Sequence, residues 1–142
     1  MSAARDNAAF AASLVAALVR GGVTDAVVSP GSRSTPLALA LAARADLRVH
    51  VLVDERAAGF VALGLARATS RPVALLATSG TAGAHWSPAV IEAALSCAPL
   101  VLITADRPPE LQGCGAPQTV DQARLFGAHA RAFAHVGPVD AA

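Results

Sequence analysis

Apolar side chains recur along this chain in two rhythms. From Asp6 to Arg20 they return at helical spacing, placing Phe10, Leu14 and Leu18 on one face. Asp6 stands where an N-cap would be, and Gly21-Gly22 where a helix stops. Residues 26–29, 47–53, 73–78 and 100–105 follow the other rhythm, as short and nearly all-apolar runs that read as strands, the first of them buried. Helical patterns separate them. One starts with Thr35 as N-cap and Pro36 at the first helical position, another covers 56–69, and a third covers 82–97, where Pro88 can start or kink it. Thr119 to Gln122 has the form of a capping box opening a short helix. Strand–helix alternation with apolar strands predicts an α/β fold. Its three layers are a central parallel sheet, with the four strands as neighbours, and helices on both faces.

The chain has 142 residues, 54% of them hydrophobic, which suits one domain over 1–142 with a sizeable core. Residues 137–142 read as the start of a linker. No apolar run approaches the roughly 18 residues of a membrane span, and no secretory signal is visible, so a cytoplasmic location is expected. Net charge is +1, with the basic residues scattered, which argues against a nucleic-acid-binding stripe. All eleven basic residues are arginine. Without lysine there is no Schiff-base nucleophile and no Walker-type phosphate loop. Cys97 and Cys114 lack metal-ligand spacing and read as buried or incidental thiols.

Polar and glycine-rich residues gather after each strand. Ser29-Pro-Gly-Ser-Arg-Ser34 follows the first, Asp54-Glu55-Arg56 the second, Thr78-Ser-Gly-Thr81 the third and Asp106-Arg107 the fourth. Open parallel sheets bind ligands beyond the carboxyl ends of their strands, so one rim is the expected site. Ser79-Gly80-Thr81 runs into a helix start, either as a plain tight turn or as a place for an anion or polar ring. Glu55 is either a carboxylate facing a helix dipole or an acid in a partly apolar cleft, able to exchange a proton. Arg33 and Arg107 would ordinarily make surface salt bridges. Two arginines from different strand ends instead suggest bidentate recognition of a di- or tricarboxylate. His50, His85, His129 and His135 lack metal or triad spacing and read as structural or surface groups, and Trp86 as packing.

These residues together carry a resemblance. Ser29-Pro-Gly-Ser-Arg-Ser-Thr-Pro-Leu37 is followed by Asp54-Glu55-Arg56 with Gly59 and Leu63-Gly-Leu-Ala66, then by Thr78-Ser-Gly-Thr-Ala82. Pro88-Ala89, Glu92-Ala93 and Thr104-Ala-Asp-Arg-Pro-Pro-Glu-Leu111 come next, then Cys114-Gly-Ala116 and Gln118. In this order they resemble the 2-succinyl-5-enolpyruvyl-6-hydroxy-3-cyclohexene-1-carboxylate synthases of menaquinone biosynthesis, within the thiamine-diphosphate enzymes. The resemblance implies the pyrimidine-binding domain of a transferase that decarboxylates 2-oxoglutarate and adds the resulting carbanion to isochorismate. It implies that Glu55 is catalytic, hydrogen-bonding the cofactor's aminopyrimidine. Pro30, Gly31, Ser79, Gly80 and Thr81 would border the cofactor beside it. Ser32, Arg33, Arg107 and Gln118 would line the substrate side. The pattern often has asparagine where this chain has His85 and Pro117.

The same resemblance implies thiamine diphosphate with Mg²⁺, the metal held by a domain absent from this chain. It also implies a homo-oligomer whose active site is shared between subunits, with no nucleic-acid partner. The isolated chain is then expected to be inactive. Two other readings remain: the pyrimidine-domain subunit of another thiamine-diphosphate decarboxylase or synthase, and a non-catalytic module kept for assembly or regulation.

Overall fold

A computed structural model describes residues 3–136. Eight main elements alternate along the chain: α1 (Ala3–Arg20), β1 (Asp25–Val28), α2 (Thr35–Ala42), β2 (Arg48–Val51), α3 (Glu55–Thr69), β3 (Val73–Ala77), α4 (Ser87–Leu95) and β4 (Leu100–Thr104). The strands form one sheet in the order β2-β1-β3-β4, and every neighbouring pair is parallel. The expected architecture is therefore present, and the 137–142 linker lies outside the described residues.

The central strands explain the layers. Every residue of β1 and β3 is buried, because both faces of each are covered. Alternate side chains point to opposite faces. Val27, Val73, Leu75 and Ala77 meet Ala58, Ala62 and Ala66 of α3, together with Trp86 and Val90. Ala26, Val28, Ala74 and Leu76 meet Val15 of α1 and Leu41 of α2. Small alanines on α3 let that helix lie close to the sheet. Trp86 fills the space beyond, fully buried and stacked on Phe126 with ring centroids 6.4 Å apart.

Several local expectations shift. The face of α1 that is buried centres on Ala11 and Val15, with Phe10, Leu14 and Leu18 at its margins. Asp6 lies inside the first turns rather than capping them. Helix α1 stops as expected at Gly22, whose φ of +91° suits glycine, with Val23 N–H bonded to Leu18 O and Gly22 N–H to Val19 O. Ser34, not Thr35, precedes α2. Residues 80–86 form a 3₁₀ helix, and Pro88 sits in the first turn of α4, so the proline starts a helix and kinks none. No helix opens at Thr119–Gln122. The Thr119 hydroxyl donates to Pro117 O, and the Gln122 amide reaches back to Ala105 O at the end of β4. That long-range bond, made by Nε2, draws the Gln122 side chain away from the Thr119 N–H that its oxygen would accept from in a capping box. Cys97 and Cys114 are both exposed, which leaves the incidental of their two readings and not the buried one.

A polar knot joins the amino ends of β1 and β2. Asp25 is 1% exposed, yet its carboxylate accepts from Arg48 Nε (2.9 Å) and Nη2 (2.7 Å) and from Thr24 Oγ1 (3.0 Å). His50 Nε2 lies 2.9 Å from Oδ1, the oxygen that also accepts from Arg48 Nε. The β1–β2 register sets Asp25 directly beside Arg48. The Arg48 guanidinium, helped by His50 and Thr24 and opposed by burial, holds the Asp25 carboxyl at a pKa of about 2.

Candidate functional site

The order β2-β1-β3-β4 contains a switch point. After β1 the chain turns to α2 on the face shared with α1, and after β3 it turns to the 80–86 helix and α4 on the other face. Loops that part in opposite directions leave a crevice at the carboxyl ends of β1 and β3. A cleft of about 440 Å³ opens there, lined by Ser32, Arg33, Thr78, Arg107 and Gln118. Four of the five are the residues that the resemblance implies for the substrate side, brought together from loops after β1 and β4. Thr78 is the addition. As a hydroxyl directly after an apolar strand it carried a legible signal, which the turn chemistry of Ser79-Gly80-Thr81 overshadowed.

Each loop has a local reason for its path. Gly31 has extended backbone, so its need is for space: a Cβ there would fall 2.3 Å from Thr78 Cβ. Ser34, fully buried, donates to Gly31 O at 3.0 Å and closes the turn that presents Ser32 and Arg33. The Asp106 carboxylate accepts from Arg107 N–H at 2.7 Å, and the Gln112 amide donates to Arg107 O at 2.8 Å, fixing the loop after β4. Gly31→Ala is expected to cost about 1–3 kcal/mol through this overlap. Urea denaturation tests it, and an unchanged midpoint would contradict the close-packing account.

Among the described residues, neither Arg33 nor Arg107 has an acidic partner. The cleft thus carries two uncompensated guanidiniums, and the ordinary surface-salt-bridge role is not filled. A larger hollow, of about 590 Å³, lies at the opposite rim among Thr24, Asp46, Arg48, Thr69 and Arg71. There Arg48 already grips Asp25 and Asp46 grips Arg44, so that hollow is a salt-bridged surface at the wrong end of the strands.

Glu55 lies on the same rim as the cleft but is not among the side chains lining it. It is the first residue of α3, at the end of edge strand β2, and is half-buried. The Asp54 carboxylate caps α3 by accepting from Ala57 N–H at 2.8 Å, which leaves Glu55 free of capping duty. Among the described residues its carboxylate makes no hydrogen bond or ion pair. Ser79 and Gly80 are buried, while Pro30 and Thr81 are exposed at the mouths of their turns. His85 and His129 are exposed, and His50 belongs to the Asp25 knot.

A parallel α/β sheet with a polar crevice at its switch point defines a ligand-binding domain of the strand-end type. Residues 8–125 match the family model described as the N-terminal TPP binding domain of thiamine pyrophosphate enzymes, and this chain belongs to that family. It is 62% identical over 135 residues to the 2-succinyl-5-enolpyruvyl-6-hydroxy-3-cyclohexene-1-carboxylate synthase of Myxococcus xanthus, covering 95% of this chain and 23% of that protein. The synthase of the same name from Dechloromonas aromatica is 59% identical over 131 residues, 92% of this chain and 24% of that protein. That of Geobacillus kaustophilus is 59% identical over 124 residues, 87% of this chain and 22% of that protein. This chain spans less than a quarter of the length of these relatives.

The residues present suit the pyrimidine half of thiamine diphosphate. Among the described residues, the Ser29, Thr78 and Ser79 hydroxyls are buried without partners, and Glu55 offers an unpaired carboxylate on the same rim. Among the described residues, no three His, Cys, Asp or Glu side chains gather where a metal ion could be held. No helix among them is long and apolar enough to cross a membrane.

Proposed function

We propose that this chain is the pyrimidine-side domain of a thiamine-diphosphate-dependent synthase that decarboxylates 2-oxoglutarate and joins the product to isochorismate in menaquinone biosynthesis, a cytoplasmic transferase. The observation that carries this reading is the pair of guanidiniums, Arg33 and Arg107, that face one cleft at the switch point with no acidic partner among the described residues. Both substrates are carboxylates, and planar guanidiniums grip carboxylates in bidentate fashion. Bound thiamine diphosphate supplies the nucleophilic carbon that the protein itself lacks. Glu55 holds a ring nitrogen of the pyrimidine and moves a proton there. Pro30, Gly31, Ser79, Gly80 and Thr81 border the ring, and Ser32 and Gln118 complete the substrate side with the two arginines. The diphosphate and Mg²⁺ fall to a domain beyond this chain, in a homo-oligomer whose subunits share the site. The 142 residues alone are expected to be inactive.

The test is a division of labour. In the assembled enzyme, Arg33→Ala or Arg107→Ala should raise the apparent Michaelis constant for a carboxylate substrate by about 10- to 100-fold, the loss of one charge-assisted bond. Exchange of the thiamine C2 proton with deuterium should stay near the parent rate in both. Unchanged Michaelis constants in both variants would overturn the carboxylate reading of the cleft.

A further inference from the structure

Gln118 is held in an uncommon way. Its φ is +55°, in the left-handed region that non-glycine residues seldom occupy, and it follows Pro117, whose ring restricts the approach. Such a conformation persists where neighbours over-determine it. The neighbour here is the turn after β3. Gln118 Nε2 donates to Ser79 O at 3.3 Å, across 39 residues of sequence. A Cβ added to Gly80 would fall 2.8 Å from Gln118 Cγ and 3.2 Å from both its Cα and its carbonyl carbon. Gly80 itself has φ +82° and is buried, so it presents bare backbone to the residue lying on it. At the far end of the same segment, the Gln122 amide donates to Ala105 O at 3.0 Å. Residues 107–122 thus form a strap fixed after β4 at both ends and seated, towards its second end, on Gly80.

We propose that Gly80 is a positioning residue for the substrate side: its missing side chain is the seat that holds Gln118 at the cleft. This deepens the reading of the cleft as a carboxylate site and rests on it. The tightest of these contacts is to Gln118 Cγ, with the backbone a few tenths of an ångström further off, so even a methyl group at position 80 must lift the strap unless Cγ is removed. Bordering a cofactor ring would require only that Gly80 have room on the ring side, and would not couple it to Gln118.

A double-mutant cycle over Gly80→Ala and Gln118→Gly separates the two. The strain of a side chain at φ +82° is common to both backgrounds and cancels in the cycle. Glycine at 118 tolerates φ +55° and removes Cγ. Backbone amide exchange in residues 112–119 should accelerate at least tenfold in Gly80→Ala, with the amides of β1 and β3 as slow as in the parent. In the assembled enzyme, Gly80→Ala and Gln118→Gly should each raise the apparent Michaelis constant for 2-oxoglutarate by about tenfold, and the double variant by no more than the worse of the two. Multiplying losses, or unchanged exchange in 112–119, would overturn the proposal. Should Gly80→Ala fail to fold, recovery of folding in the double variant supports the seat, and failure of both variants overturns it. If Gln118→Gly leaves 2-oxoglutarate kinetics untouched, the substrate reading of this cleft fails, and exchange alone decides whether Gly80 seats the strap.

Discussion

Glu55→Gln is expected to slow exchange of the thiamine C2 proton by about 10²- to 10⁴-fold in the assembled enzyme, the usual worth of a general acid–base group. The structure makes this substitution informative because Glu55 does little else. Asp54, not Glu55, caps α3, and the Glu55 carboxylate has no hydrogen-bond or ion-pair partner among the described residues. Glutamine keeps the length and polarity of the side chain and occupies the same half-buried place. The favourable meeting of a carboxylate with a helix start is worth under about 1 kcal/mol, so folding should hardly change. What is lost is the ability to take up and return a proton. Deuterium exchange followed by nuclear magnetic resonance measures it directly. A parent-like rate in Glu55→Gln would leave this residue as a helix-start carboxylate and nothing more.

Asp25→Asn is expected to lower stability by about 2–3 kcal/mol at neutral pH, a large share of the 5–15 kcal/mol that typically holds a domain together. The figure follows from the depression of the Asp25 carboxyl from 3.8 to about 2 by Arg48, with lesser help from His50 and Thr24. The sign follows from linkage. A carboxyl whose pKa falls on folding stabilises fully above its unfolded value, near pH 4, and loses that contribution as pH drops towards 2. Parent and variant should therefore differ most above about pH 5 and converge near pH 2, as denaturation midpoints across that range will report. Arg48→Met should move the acid transition of the parent upward, because a carboxylate that is 1% exposed then keeps only His50 and Thr24. A constant difference between parent and Asp25→Asn from pH 7 to pH 2 would contradict this account.

Much of this protein is decided locally and is legible residue by residue. The apolar runs at 73–78 and 100–105 are short and bounded by loop residues, as strands are, and they become β3, buried throughout, and the half-buried edge strand β4. Pro36 and Pro88 mark helix starts because a missing N–H is harmless only there. Gly22 marks a helix end because its backbone angle suits glycine. Alternation of such elements leaves few architectures, and the polar residues after each strand must then share one rim. Their types, arginines and a glutamate beside glycine turns, indicate the chemistry before any distance is measured.

Other features belong to the tertiary structure alone, because they depend on residues far apart in sequence. Asp25, Arg48 and His50 carry no motif, and only the parallel register of β1 and β2 makes one knot of them. Helix α4 ends at a left-handed Cys97 rather than a glycine, so no local signal marks the stop. Ala98 N–H reaches Ala93 O and fixes the turn. The capping box at Thr119–Gln122 has the right letters, but a bond from Gln122 to Ala105 O takes the side chain that the helix start would have used. Which strand-end residues share a cleft was likewise undetermined by order along the chain. Strand order β2-β1-β3-β4 sets the crevice between β1 and β3, gathers Ser32, Arg33, Thr78, Arg107 and Gln118 there, and leaves Glu55 at the end of the neighbouring edge strand. Periodicity and turn chemistry act within a few residues, whereas strand order is set by how the two helical layers cover the sheet.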